Sequence, residues 1–226
     1  HTTPDAIKMR WYLNQLFDKE VEKVALEASS HGLVQDRLHG IDISTGIFTN
    51  LSRDHFDYHK NFNSYFKAKA ILFKKLVNQN GGAVINIDGL KSDEMLKIAQ
   101  SRISKVLTVG TKKDADLRIL SQSFHDQGQK IKFCWENSEF VIDLGLYGKF
   151  QAQNVLSTLA CVNILEDEPS KKIEDLISYV SKLKTVPGRM EKVASKKNGA
   201  KIFVDFAHTP SALEAVLKSI RCHFLG

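Results

Sequence analysis

Two rhythms of apolar positions alternate along this chain. The first is helical. Behind Thr2-Thr3-Pro4-Asp5, the residues Ile7, Trp11, Tyr12 and Leu16 recur at helical spacing. Thr3 is placed to cap that helix, Pro4 to take its first position, and Asp5 to meet the positive end of its dipole. The second rhythm consists of short, mostly apolar runs: strand candidates at Lys23–Glu27, Thr45–Thr49 and Val106–Val109, and a buried-type strand at Ala83–Ile87. Between them, Asn63-Ser64 opens a helix carrying Tyr65, Ala68, Ile71 and Leu72, and a further helix spans Asp93–Ile103. Strands and helices alternating at these lengths predict an α/β fold with a mostly parallel sheet flanked by helices.

From Asp116 to Leu146 the texture changes. Three strand-like runs (LRIL, KIKFCW and EFVIDLGL) are separated by the turn signals HDQGQ and ENSE, which predicts a small antiparallel excursion. Helices return at Ala152–Leu165 and Ile173–Leu183. Thr185-Val186-Pro187-Gly188 is a compact break; beyond it a strand at Lys201–Phe206 leads into a helix from Pro210. Residues 1–186 therefore read as one domain and residues 187–226 as the start of another. The chain begins at His1 and stops just behind a helical pattern, so the expectation is a piece of something longer.

Composition narrows the class. Apolar residues make up 42% and charged residues 26%, ordinary for a globular chain and unlike a disordered or collagen-like one. No apolar run approaches the ~18 residues that span a bilayer, and the N-terminus lacks a signal-peptide layout. Cys134, Cys161 and Cys222 are scattered and odd in number, which fits a reduced, cytoplasmic setting. The 32 basic residues exceed the 26 acidic ones by six. They are interleaved with the acidic residues, and no nucleic-acid motif accompanies them, so the excess suits anionic small substrates and not a nucleic acid.

Polar clusters follow several strand candidates, where ligands bind in open α/β sheets. Glu27-Ala28-Ser29-Ser30-His31-Gly32-Leu33-Val34-Gln35-Asp36-Arg37 is the densest; it reads equally well as a ligand loop or as a helix start capped by Ser29 or Ser30. Thr49–His59 carries His55 and His59 four apart, but Phe56 occupies the glutamate position that a zinc-protease helix needs. Asp54 can serve as a cap there. Lys69 shares its helix with Lys67, Lys74 and Lys75, which taken alone describe a solvated basic face. Asn86 and Asp88 stand at a strand end, as do Asp205 and His208 ahead of a Thr209-Pro210 helix start. Phosphate-cradling signatures such as GxxxxGK[ST] and GxGxxG are absent from the sequence.

Six segments in order, ALEASSHGLVQDR, FTNLSRDHFDYH, YFKAKAILF, VIN-x-D, PGRMEKV and VDFAHTPSALE, resemble the Mur ligases. Within that family the resemblance is to the branch that adds diaminopimelate as the third stem residue of peptidoglycan. It covers essentially the whole chain, beginning downstream of the family's P-loop and ending inside its C-terminal domain. Departures are His1 before the threonine pair, Ile87 and Gly89 in the N-x-D-D motif, and Phe206 at a usual Tyr. The resemblance implies an ATP-dependent amide ligase. The substrate's glutamyl carboxylate is phosphorylated by ATP, and the amine of diaminopimelate then displaces phosphate. It implies that Thr2, Thr3, Ser29, Gln35 and Arg37 hold UDP-N-acetylmuramoyl-L-alanyl-D-glutamate. It further implies that Glu27, His55 and a carbamylated Lys69 serve catalysis as ligands of Mg2+, and that Asn86, Arg189, Asp205 and His208 contact the nucleotide. A cytoplasmic monomer is the expected state, and the 226 residues alone are expected to lack ligase activity for want of the P-loop. A folylpolyglutamate synthetase-like ligase and an inactive nucleotide-sugar-binding fragment are the alternative expectations.

Overall fold

A computed structural model describes residues 2–52, 58–166 and 173–224. Its main sheet has six strands in sequence order: β1 (Ile43–Phe48), β2 (Val77–Asn86), β3 (Lys105–Gly110), β4 (Leu117–His125), β5 (Gly128–Trp135) and β6 (Ser138–Leu144). Strands β1 to β4 pair in parallel, with Ile47 opposite Val84 and Ala83 opposite Val106. The pairing turns antiparallel from β4 to β6. This matches the expected parallel sheet with an antiparallel excursion.

The parallel half is covered on both faces. One face carries α3 (Phe62–Ile71) with the π-helical turn Leu72–Leu76 behind it, and α4 (Ser92–Gln100). Phe73, Ile85, Met95 and Ala99 form its core. Across the other face runs α5 (Gln151–Leu165), whose Leu156 and Ala160 meet Val84 and Val109. That double burial is why Ala83–Ile87 contains no polar residue but Asn86. Gly82 allows the close approach: a Cβ there would stand 2.2 Å from Ile164 Cγ2. Helix α6 (Ile173–Val180) packs on α5 and β6.

Four expectations change. Lys23–Glu27 forms no strand; Val21, Val24 and Leu26 are exposed, and β1 is an edge strand whose described partner is β2. An apolar run becomes a strand only where a ladder partner satisfies its backbone, and none is present among the described residues. The first helix, α1 (Ala6–Phe17), is capped by Asp5 and not by Thr3, since the Asp5 carboxylate accepts from Ile7 N and Lys8 N at 3.1 and 2.9 Å. The stripe Ile7, Trp11, Tyr12 faces outward, because Met9 and Leu13 are the residues that find Leu33 and Leu38. Helix α3 starts at Phe62 behind an Asn61–Ser64 capping box, slightly ahead of the expected start.

Past Gly188, β7 (Glu191–Ser195) and β8 (Lys201–Val204) form a separate antiparallel pair, and α7 (Pro210–Phe224) follows. Strand β7 lies in a stretch with no strand expectation, because its exposed, charged residues carry little apolar pattern. His223 of α7 accepts from Gly148 N at Nε2 (3.0 Å), and its Nδ1 lies 3.0 Å from the His125 carbonyl, which joins α7 to the main sheet.

Candidate active site

The polar loops gather at the carboxyl ends of the parallel strands and around α2 (Ser30–Val34). Ser29 N-caps α2, its Oγ accepting from Gly32 N at 3.1 Å. Ahead of that cap, the Thr3 hydroxyl donates to the Glu27 carbonyl (2.7 Å) and accepts from Ser29 N (2.9 Å). Behind it, the Arg37 guanidinium donates from Nη1 to the Thr3 carbonyl (2.6 Å) and from Nε and Nη2 to Gln35 Oε1 (3.0 and 2.6 Å). Glu27, Thr3, Ser29, Gln35 and Arg37, 34 residues apart at the extremes, thus form one connected polar cluster. Thr3 is fully buried, whereas Thr2, Glu27 and Gln35 are exposed and Arg37 is half-buried. Ser29 is therefore a helix cap and a member of this cluster at once.

The cluster continues toward α3. Gln35 Nε2 donates to Tyr58 Oη at 3.3 Å, and the Tyr58 ring lies 3.9 Å from the His31 ring. His59, buried, sits 5.0 Å from Tyr58 and 5.2 Å from Tyr65, ring to ring. Lys69, in the last turn of α3, places its Nζ 5.8 Å from the Tyr65 ring centre. Helix α2 packs against α3, so Glu27 and Lys69 are carried by neighbouring elements. Lys69 is half-buried, not on an open basic face. His55, with Asp54 and Asp57, lies outside the described residues. Among the described residues no group of three or more His, Cys, Asp or Glu side chains is placed to hold a metal ion.

A second polar group forms where β2 ends. Asn86 Nδ2 donates to the Thr49 carbonyl at 2.7 Å, and its Oδ1 accepts from Asp88 N at 3.1 Å. The Asp88 carboxylate accepts from Thr111 N at 2.9 Å and from Thr111 Oγ1 at 3.1 Å, while Gln153 Nε2 of α5 stands 3.5 Å away. Thr111 and Gln153 escape sequence reading, because each is a single polar residue at the margin of an unrelated element. The N-x-D spacing at the strand end is the one signal that points to the site.

Arg189, Asp205 and His208 gather elsewhere, around Phe206. The guanidinium of Arg189 lies 5.3 Å from the Phe206 ring, and His208 Nδ1 lies 3.0 Å from the Phe206 carbonyl. The Asp205 carboxylate accepts from Met190 N and Ala207 N, both at 2.8 Å, tying the turn ahead of β7 to the one after β8. A cleft of about 570 Å³ between α5 and α6 is lined by Leu159, Leu176, Tyr179 and other largely apolar side chains and holds none of these candidates.

The family model of the Mur ligase middle domain matches residues 1–162. The chain belongs to that family. It is 36% identical over 222 residues to a UDP-N-acetylmuramoyl-L-alanyl-D-glutamate–2,6-diaminopimelate ligase of Clostridium botulinum, with 97% of this chain and 44% of that protein covered. The ligase of the same name from Mesorhizobium japonicum is 39% identical over 221 residues, with the same coverage. A solved structure of a ligase of that name superposes with a TM-score of 0.81 at 35% identity, over 99% of this chain and 45% of the other. The chain thus spans less than half the length of these Mur ligases. No helix among the described residues is long and apolar enough to cross a membrane.

Proposed function

We propose that the protein serves an ATP-dependent ligase of peptidoglycan synthesis in the cytoplasm, acting as a monomer. The reaction joins meso-diaminopimelate to the side-chain carboxylate of UDP-N-acetylmuramoyl-L-alanyl-D-glutamate through an acyl phosphate. In this reading residues 1–186 are the central domain and residues 187–226 begin the C-terminal one. The observation that carries it is the connected Glu27–Thr3–Ser29–Arg37–Gln35 cluster beside α3, on a chain 36% and 39% identical to two diaminopimelate ligases over nearly its whole length.

Thr2, Ser29, Gln35 and Arg37 would contact the anionic UDP-dipeptide. The Arg37 guanidinium has five N–H groups, and the three held by Thr3 and Gln35 leave two for a carboxylate or phosphate. Asn86, held between Thr49 and Asp88, is assigned to the nucleotide base, and Arg189, Asp205 and His208 to the same nucleotide. Glu27, His55 and Lys69 are assigned to Mg2+. The donor chemistry fits on two counts: Glu27 offers oxygen to a hard cation, and a Lys69 carbamate would replace a repelling ammonium with oxygens. When bound, the ion would neutralise charge on the transferring phosphoryl group. The chain's own contribution is to hold the glutamyl carboxylate in line for transfer.

A chimaera tests this reading. Replacing the matching 222-residue segment of the Clostridium botulinum relative with this chain should preserve ATP-dependent ligation, with diaminopimelate preferred to lysine at equal concentration. Lys69→Ala should abolish turnover, and short carboxylic acids should restore part of it. A folded chimaera with no ligase activity overturns the function; a preference for lysine overturns the choice of amine.

A further inference from the structure

We propose that Thr3 is a positioning residue whose hydroxyl sets the turn that presents Glu27 and Ser29. The inference rests on the reading of Glu27 as a metal ligand given above.

The hydroxyl holds two backbone groups at once, the Glu27 carbonyl at 2.7 Å and the Ser29 amide at 2.9 Å. These groups lie on either side of Ala28, so one oxygen fixes both peptide planes between Glu27 and Ser29. The direction of a side chain leaving its Cα follows from those planes. Thr3 therefore sets the backbone from which the Glu27 side chain departs and, through Ser29 N, supports the Oγ that caps α2 at Gly32. No strand ladder fixes this turn instead, because Lys23–Glu27 has no ladder partner among the described residues and Glu27 itself is exposed.

Thr3 is itself anchored from two sides. Its carbonyl accepts from Arg37 Nη1 at 2.6 Å. Its side chain fills the space beside Gly32, where an added Cβ would stand 2.8 Å from Thr3 Cγ2 and 2.9 Å from Thr3 Cβ. The residue is fully buried, and its single O–H is committed to the Glu27 carbonyl, so the hydroxyl has no donor left for a substrate. Partners that orient a metal ligand commonly change metal affinity by about 10- to 100-fold when removed.

The test is Mn2+ binding to the 226-residue chain, followed by electron paramagnetic resonance, with calorimetry of UDP-N-acetylmuramoyl-L-alanyl-D-glutamate alongside. Thr3→Val keeps the shape and removes both hydrogen bonds; it should weaken Mn2+ binding about tenfold or more. Thr3→Ser keeps the hydroxyl and should stay within about threefold of the parent. Glu27→Gln reports on the ligand itself. If Glu27→Gln weakens Mn2+ binding and Thr3→Val does not, the positioning role is wrong and the metal reading stands. If the parent binds no Mn2+, or Glu27→Gln changes nothing, the metal reading fails and takes this inference with it. If Thr3→Val weakens only the UDP-dipeptide, Thr3 is a substrate contact. Gly32→Ala, which displaces Thr3 without altering its chemistry, should mimic Thr3→Val. Loss of the folded spectrum in both of these variants would make the hydroxyl a determinant of the fold and overturn the assignment.

Discussion

The two halves of the main sheet are built from similar apolar content and do different work. In the parallel half, Ala83 through Ile87 are all buried, since α4 and α5 cover opposite faces. In the antiparallel half burial alternates: in β6, Val141 is 62% exposed beside Ile142 at 3%. Parallel strands all end on the same side, so the loops that follow β1 and β2 bring Thr49, Asn86 and Asp88 together. Antiparallel strands end on alternate sides, and their hairpins spread polar residues along two edges. The candidate chemistry follows that geometry.

The largest test of the contrast removes apolar groups from neighbouring positions. Ile85→Ala should cost about 2–5 kcal/mol and Val84→Ala somewhat less, because both faces of β2 are sealed. In β6 only Ile142→Ala should reach that range, with Val141→Ala within about 0.5 kcal/mol. Urea unfolding of the four variants decides it, and equal costs at Val141 and Ile142 would erase the distinction.

A smaller effect compares two buried amides. Asn86 bridges Thr49 and Asp88 at the site, while Gln129 of β5 donates to the Leu146 and Gly148 carbonyls at 3.2 and 2.9 Å. Either alanine variant should lose about 1–3 kcal/mol through groups left unpaired. Only Asn86→Ala should also raise the chimaera's KM for ATP. An equal rise with Gln129→Ala would show that stability alone is being read.

The smallest effect is electrostatic and belongs to the parallel side, at the start of α1. The Lys8 amide, foremost, holds the Asp5 carboxyl below its ordinary value of 3.8. A lowered folded value contributes stability that is present above the unfolded value and lost as pH falls through the folded one. Acid unfolding of Asp5→Asn should therefore lack a small loss below about pH 4 that the parent shows. Superimposable acid profiles would remove Asp5 from the account.

Much of this was legible in the chain. The mostly apolar run at Ala83–Ile87 announced a buried strand, that at Val106–Val109 its neighbour, and the change of texture at Asp116 the antiparallel excursion. Six ordered motifs pointed to the family. Lys23–Glu27 misled because its apolar pattern carries no information on whether a neighbour is present to complete the ladder. The stripe on α1 misled because that helix has apolar residues on two sides, and packing against Leu33 and Leu38 selects only one of them.

Local chemistry alone settles what one segment decides: the helix start at Thr209-Pro210 and the turn residues between hairpins. The tertiary structure decided the rest. It chose Asp5 over Thr3 as the cap and committed the Thr3 hydroxyl to Glu27 and Ser29, 24 and 26 residues away. It also linked Arg37 to Thr3 across 34 residues. A hydroxyl has one proton to give, and which acceptor receives it depends on what the fold brings within hydrogen-bond reach, a quantity that no spacing along the chain contains.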